Sequence, residues 1–161
     1  MRKELISKIG GIVSFISVFL PVLSFELFEN IFYYWIFGQV VQPVTDGASD
    51  EPVYWFQYID FFGTIIMMLI IVCAMQIILK ASIDSKVGLI AGIIIIISMI
   101  SYFAIVNTDL VNRTSESLHI ILQLEEDIEF VPSYGYYTAI IGGIVSIIGS
   151  IIPNKKNIME E

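Results

Sequence analysis

The run FFGTIIMMLIIVCAMQIIL, from Phe61 to Leu79, carries no charged side chain, and Gln76 is its one strongly polar residue. An α-helix needs about 20 predominantly apolar residues to cross a hydrocarbon core ~30 Å thick. The run meets that length. In lipid every backbone N–H and C=O must be paired within its own segment, so the run is read as a transmembrane helix.

Working outward, the pattern repeats. Downstream, KASIDSK (Lys80–Lys86) is a short polar link to a second apolar run, Val87 to Val106. So brief a link forces an antiparallel helical hairpin. The β-branched stretch Ile93–Ile97 would favour strand in water, but backbone pairing in lipid overrides that preference. Upstream lies an apolar run from Leu5 to Leu23, broken only by Lys8, whose stem can snorkel to an interface. Arg2-Lys3 ahead of it resembles a signal peptide, but no small-x-small cleavage site follows before Pro21, so it is read as a retained span. A fourth run extends from Tyr136 to Ile152, with Tyr134, Tyr136 and Tyr137 where an aromatic belt would lie. The predicted fold is an all-α membrane protein: one domain over residues 1–161, a four-transmembrane-helix bundle with spans at 5–23, 61–79, 87–106 and 136–152. Composition agrees, with 57% apolar residues, 15% charged and a mean hydropathy of +0.84. A soluble chain needs more charge to cover its surface.

Charge distribution sets the expected orientation. Arg2, Lys3, Lys8, Lys80, Lys86, Lys155 and Lys156 fall on one side, and only Arg113 on the other. The positive-inside rule then puts both termini in the cytoplasm of a multi-pass cell-membrane protein, with loops 24–58 and 107–134 outside. With Asp60 just beside the first, those loops hold one base against twelve acids, a net −11, out of −8 for the chain. Such a cap attracts cations and basic partner surfaces. With no basic run interleaved with aromatics, no nucleic-acid footprint is present.

The first outer loop is rich in strand formers. Ile31–Phe37 is a β-branched and aromatic run bounded by Gly38 and Pro43, and Val53–Tyr58 is another, after the turn-rich Asp46–Pro52. With Phe25–Glu29 and an imperfect period-two stretch, Leu118–Glu125, three or four strands can pair into a small extracellular antiparallel β-sheet built by both outer loops, although Ile120, Ile121, Leu124 and Ile128 also fit the spacing of a short amphipathic helix. Its aromatics belong either to the core of that sheet and the headgroup level or to a protein-binding surface. Tyr33, Tyr34, Trp35, Tyr54 and Trp55 are the candidate partner contacts, because aromatics carry binding energy well. Asn112-Arg113-Thr114 matches the N-glycosylation sequon, making Asn112 a candidate modification site.

Small residues recur on helix faces. Gly88 and Gly92 form a GxxxG pair, and Gly142, Ser146 and Ser150 repeat every four residues. Such faces let helix backbones approach closely, within the chain or at a dimer interface, and the first is favoured. Chemistry is sparse. Cys73 stands alone, His119 has no nucleophile at a convincing position, and the acidic turns lack calcium-loop spacing. No span carries a charge near its middle, which argues against an ion pathway. No cofactor or metal is expected.

The segments FLPVLSF (Phe19–Phe25) and YGYYTAIIGGIVSIIG (Tyr134–Gly149) are similar to those of small prokaryotic four-span proteins, and the whole-chain pattern resembles the claudin-like four-span architecture. That resemblance implies cytoplasmic termini, a larger strand-forming first outer loop and a smaller second one contributing a strand. The claudin Trp…GLW signature with two cysteines, and the tetraspanin CCG motif, are absent. The expected function is non-enzymatic: contact through the outer loops, with membrane lipid around the spans and self or another membrane or surface protein as partner. The alternative is an accessory subunit of a larger transporter or membrane enzyme, packing through Gly88/Gly92 or Gly142/Ser146/Ser150.

In a Cys73→Ala background, Asp46→Cys and Glu126→Cys are expected to react with a membrane-impermeant maleimide from outside the cell. Asp84→Cys is expected to react only after permeabilisation. The reverse pattern overturns this topology.

Overall fold

The computed structural model of the chain describes residues 3–27, 30–36, 39–42, 53–57, 61–81, 84–106 and 130–152. Among these are helices α1 (Lys3–Ser17), α2 (Phe61–Lys80), α3 (Ser85–Ile105) and α4 (Tyr134–Ile151). Strands β1 (Leu23–Leu27), β2 (Asn30–Tyr34), β3 (Gln39–Gln42) and β4 (Val53–Gln57) lie between α1 and α2, and β5 (Val131–Pro132) directly precedes α4. Of the four helices, α2, α3 and α4 are long and apolar enough to cross a membrane.

The Ile-rich runs of α2 and α3 are helical throughout, Ile93–Ile97 included. Asp84 starts α3 as its N-cap, its carboxylate accepting from the Lys86 N–H at 2.9 Å. The first helix ends well short of Leu23, where apolar content alone would carry it. It stops at Ser17, and the chain tightens into i→i−3 turns, with the N–H of Phe19 on Ile16 O at 3.0 Å and that of Leu20 on Ser17 O at 3.1 Å. Pro21 has no N–H to continue the ladder, and it biases the residue before it away from the helical region. Extended backbone begins there.

α1 packs between α2 and α4, and α3 packs between the same two helices, so the four close a ring. The closest seam joins α1 to antiparallel α4. A Cβ placed on Gly10 would lie 2.5 Å from Ser146 N and 2.6 Å from Gly142 O, besides striking the Ser146 hydroxyl. One on Gly142 would lie 2.6 Å from Ser14 N and 2.8 Å from Gly10 O. The α3–α4 seam has the same character: a Cβ on Gly92 would lie 2.7 Å from Gly143 O, and one on Gly143 would lie 3.0 Å from Gly92 O. Backbone meets backbone in both places, which only glycine permits.

The strands form one antiparallel five-stranded sheet in the order β4-β3-β2-β1-β5. The register pairs Leu23 with Tyr34 and Phe25 with Phe32 across β1 and β2, and Ser24 with Val131 across β1 and β5. Between β3 and β4 it shifts, Val40 facing Phe56 and Val41 facing Tyr54, so the pairing passes over Trp55. Such an extra residue bends a strand and strengthens its twist. The short strand Gln39–Gln42 lies in a stretch with no strand expected, and β5 stands closer to α4 than the expected second-loop strand. That expected strand, Leu118–Glu125, lies outside the described residues. Core residues run without interruption from Ala81 and Ile77 in the bundle to Tyr34 and Phe130 beneath the sheet.

Because the α1–α4 seam has no room for a Cβ, Gly10→Val and Gly142→Val are each expected to destabilise the fold by at least about 1–3 kcal/mol. Ile12→Ala, on the exposed face of α1, is expected to stay within about 0.5 kcal/mol. Thermal unfolding of the purified chain in a neutral detergent measures the difference.

Candidate functional site

β1 and β2 alternate strictly. Leu23, Phe25, Phe32 and Tyr34 are buried, whereas Ser24, Glu26, Ile31 and Tyr33 are half-buried or exposed. Period-two geometry puts these two sets on opposite faces of the sheet. The inner face is an aromatic layer. Phe25 and Phe32, directly paired, stack with centroids 5.2 Å apart at 9°. Phe130 meets Phe25 edge-on at 5.2 Å and Tyr34 at 6.4 Å. Such pairs add about 0.5–1.5 kcal/mol each beyond the area they bury.

The layer is bolted to the helices by backbone and by one indole. Val22 N–H donates to Tyr34 O at 2.8 Å, Ser133 N–H to Val22 O at 2.8 Å, and Gly135 N–H to Pro21 O at 2.7 Å. Gly135 is required at this last contact, since a Cβ there would lie 2.7 Å from Leu20 O and 2.9 Å from Pro21 O. Trp35 Nε1 donates to the Phe19 carbonyl at 3.2 Å, an acceptor that the end of α1 leaves without a helical partner.

These contacts divide the candidate aromatics. Tyr34, 4% exposed, belongs to the core, which corrects its reading as a partner contact. Trp35 is half-buried and spends its N–H on α1, so it is first a brace between sheet and helix. Tyr33 is half-buried on the outer face. Tyr54 and Trp55 lie in β4, whose backbone alone is described. Asn112 and His119 lie outside the described residues. Sequence patterning missed two accessible apolar positions among the described side chains of the sheet, Ile31 at 51% and Val131 at 49% exposed. A signal existed for Ile31, which alternates with Phe32; none existed for Val131, whose face depends on its pairing with Ser24.

The small-residue candidates are all engaged within the chain. Gly88 faces the hydroxyls of Ser150 and Ser7, Gly92 faces Gly143 and Ile147, and Gly142 faces Ser14 and Gly10. Ser146 Oγ lies 2.9 Å from Gly142 O and 3.3 Å from Ser7 O across the seam. Among the described residues no three His, Cys, Asp or Glu side chains are grouped to hold a metal ion. Cys73 is buried and free.

What the geometry supplies is therefore a sheet that is two-faced at its described side chains. Phe25, Phe32 and Tyr34 are committed to the bundle on the inner face, and the outer face carries Ile31, Val131, Tyr33 and the exposed carboxylate Glu26. Compared with known protein families and with curated proteins, the chain matches none.

The alternation gives a sharp contrast between neighbours. Phe32→Ala is expected to cost about 3–5 kcal/mol as a buried aromatic truncation. Ile31→Ala is expected to change stability by no more than about 0.5 kcal/mol. Equal losses at both positions, read from melting curves, would contradict the assigned faces.

Proposed function

We propose that the chain is a four-span, non-enzymatic membrane protein whose sheet mediates contact with a second copy or with another membrane or surface protein. The observation that carries this reading is the sheet's outer face, where exposed Ile31 and Val131 stand beside half-buried Tyr33 while the inner aromatics are fully engaged. Apolar and aromatic side chains on a rigid strand surface suit protein contact.

Three helices are long and apolar enough to cross a membrane, and the four-span count requires α1 to insert beside them. α1 is only 15 residues long, but with its terminal turns it runs the length of α4: Ser7 packs at Gly149 and Ser17 and Leu20 at Gly135. Its exposed row is Leu5, Ile9, Ile12, Ile16 and Phe19, apolar from end to end. Exposed Phe19, Tyr134 and Tyr137 lie at the sheet end, and Lys80 and Lys86 at the other. An aromatic belt beneath the sheet and lysines opposite agree with the sheet outside and the termini in the cytoplasm. Among the described residues four strands lie in the first connection and one in the second; the claudin-like resemblance implies a larger strand-forming first loop and a smaller second one contributing a strand. The accessory-subunit reading loses its main support, since the small-residue faces it would use are occupied within the chain.

Photo-crosslinking residues incorporated at Ile31, Tyr33 and Val131 in native membranes are expected to give a discrete adduct, and one at Phe32 none. Ile31→Asp is expected to abolish the adduct. A monodisperse monomer in native lipid with no adduct at any of the three positions sinks the proposal.

A further inference from the structure

We propose that the lysine-bearing end of the bundle is a docking surface for the phosphates of anionic phospholipids, with Lys8 and Lys80 as its inner tier. The inference rests on the membrane-spanning reading above and adds the class of lipid that this end selects.

Helix register carries the argument. Lys8 stands near the start of the first apolar run in sequence. The structure sets it level with the end of α2. Gly11 packs on Ile77 and Ile78 of antiparallel α2. Three residues back along α1 from Gly11 is Lys8, and three on from Ile77 is Lys80, the last residue of α2. The two lysines thus occupy one layer on adjoining helices. Gly88 meets Ser7, so Lys86 falls a few ångströms farther out at ~1.5 Å of rise per residue. Lysines of α1, α2 and α3 therefore stand in two tiers at one end.

Among the described residues at this end, Lys8, Lys80 and Lys86 outnumber the carboxylates Glu4 and Asp84, the latter also accepting from the Lys86 N–H as the cap of α3. Lys80 is exposed, and half-buried Lys8 sits among exposed Leu5, Ile9 and Ile12. A lysine on such a surface lays its stem along the apolar side and carries its ammonium to the headgroup level. There the choline of phosphatidylcholine already compensates that lipid's phosphate. Phosphatidylglycerol leaves its phosphate charge uncompensated, and each lysine near the surface is expected to favour it by about fivefold.

The test uses the full chain in nanodiscs of equal phosphatidylcholine and phosphatidylglycerol, with retained lipids counted by native mass spectrometry. Phosphatidylglycerol is expected to be enriched several-fold over its bulk share. The enrichment is expected to fall towards the bulk ratio in Lys8→Gln/Lys80→Gln, to persist in Lys8→Arg/Lys80→Arg, and to survive millimolar inorganic phosphate. Displacement by inorganic phosphate alone would mark a free-anion site and overturn the lipid assignment. Retention at the bulk ratio by the unmodified chain overturns it too, whether or not the glutamine variant folds. A chain that enters the discs with its helical circular dichroism intact but shows no enrichment refutes the lipid preference alone. A chain that stays out of the discs refutes the membrane reading as well.

Discussion

Direct backbone contact between the first and fourth helices is the constraint on which the remaining structure depends. Inside a bilayer, large apolar side chains gain nothing by leaving lipid for one another, so helices associate through close packing and polar contacts. Gly10 and Gly142 each present a Cα–H to the other's carbonyl, an arrangement visible in how near a Cβ on either would come to that oxygen. Ser7 and Ser14 have hydroxyl oxygens with no conventional hydrogen-bond partner among the described residues. Both face glycine: Ser14 at Gly142 and Ser7 at Gly88. Weak Cα–H···O contacts of this kind, worth about 0.5–1 kcal/mol each, go some way to offset the cost of burying them. Dispersion between closely packed backbones adds to them.

The same seam sets the sheet. Once α4 lies flat on α1, its N-terminal turn meets the chain just after the helix, and Gly135 closes on Pro21. That placement brings β5 against β1 and aims Phe130 into the aromatic layer. Trp35 ties the following strand to the end of α1 from the other direction. Sheet and bundle are thus one packed body with a shared core, not a domain perched on a membrane anchor.

Much of this was legible in the residues. Uncharged runs of spanning length marked α2 and α3 to within a residue or two, because a bilayer leaves the backbone few alternatives. The aromatic run at Ile31 announced a strand for the same reason that β-branched and aromatic side chains suit a pleated, half-buried surface. The misreadings came where local chemistry and tertiary contact compete. Val22 and Leu23 are as apolar as the helix before them, yet they are extended, because Pro21 ends the helical ladder and Tyr34 and Ser133 offer backbone partners. Tyr33 and Tyr34 are chemically alike, and only the register against β1 separates a core residue from an outer one. The GxxxG of α3 could be read from spacing, but its partner could not, since the choice of α4 follows from how three helices share one space. A strand of two residues, Val131–Pro132, has no periodicity to detect; it exists because α4 begins where it does.

The α1–α4 seam also has a consequence for biogenesis. Ser7 and Ser146 touch across 139 positions of sequence. During synthesis α1 emerges long before α4, and domains acquire their contacts from the N-terminus onward. Throughout that interval the Gly10–Ser14 face has α2 on one flank and nothing of its own chain on the other. The bundle therefore closes late, by the docking of a helix made after the hairpin of α2 and α3. Contacts of such separation slow folding. Until α4 is made the glycine face of the first helix stays open, so its glycines, among the tightest contacts of the described residues in the finished fold, are uncovered in the unfinished one.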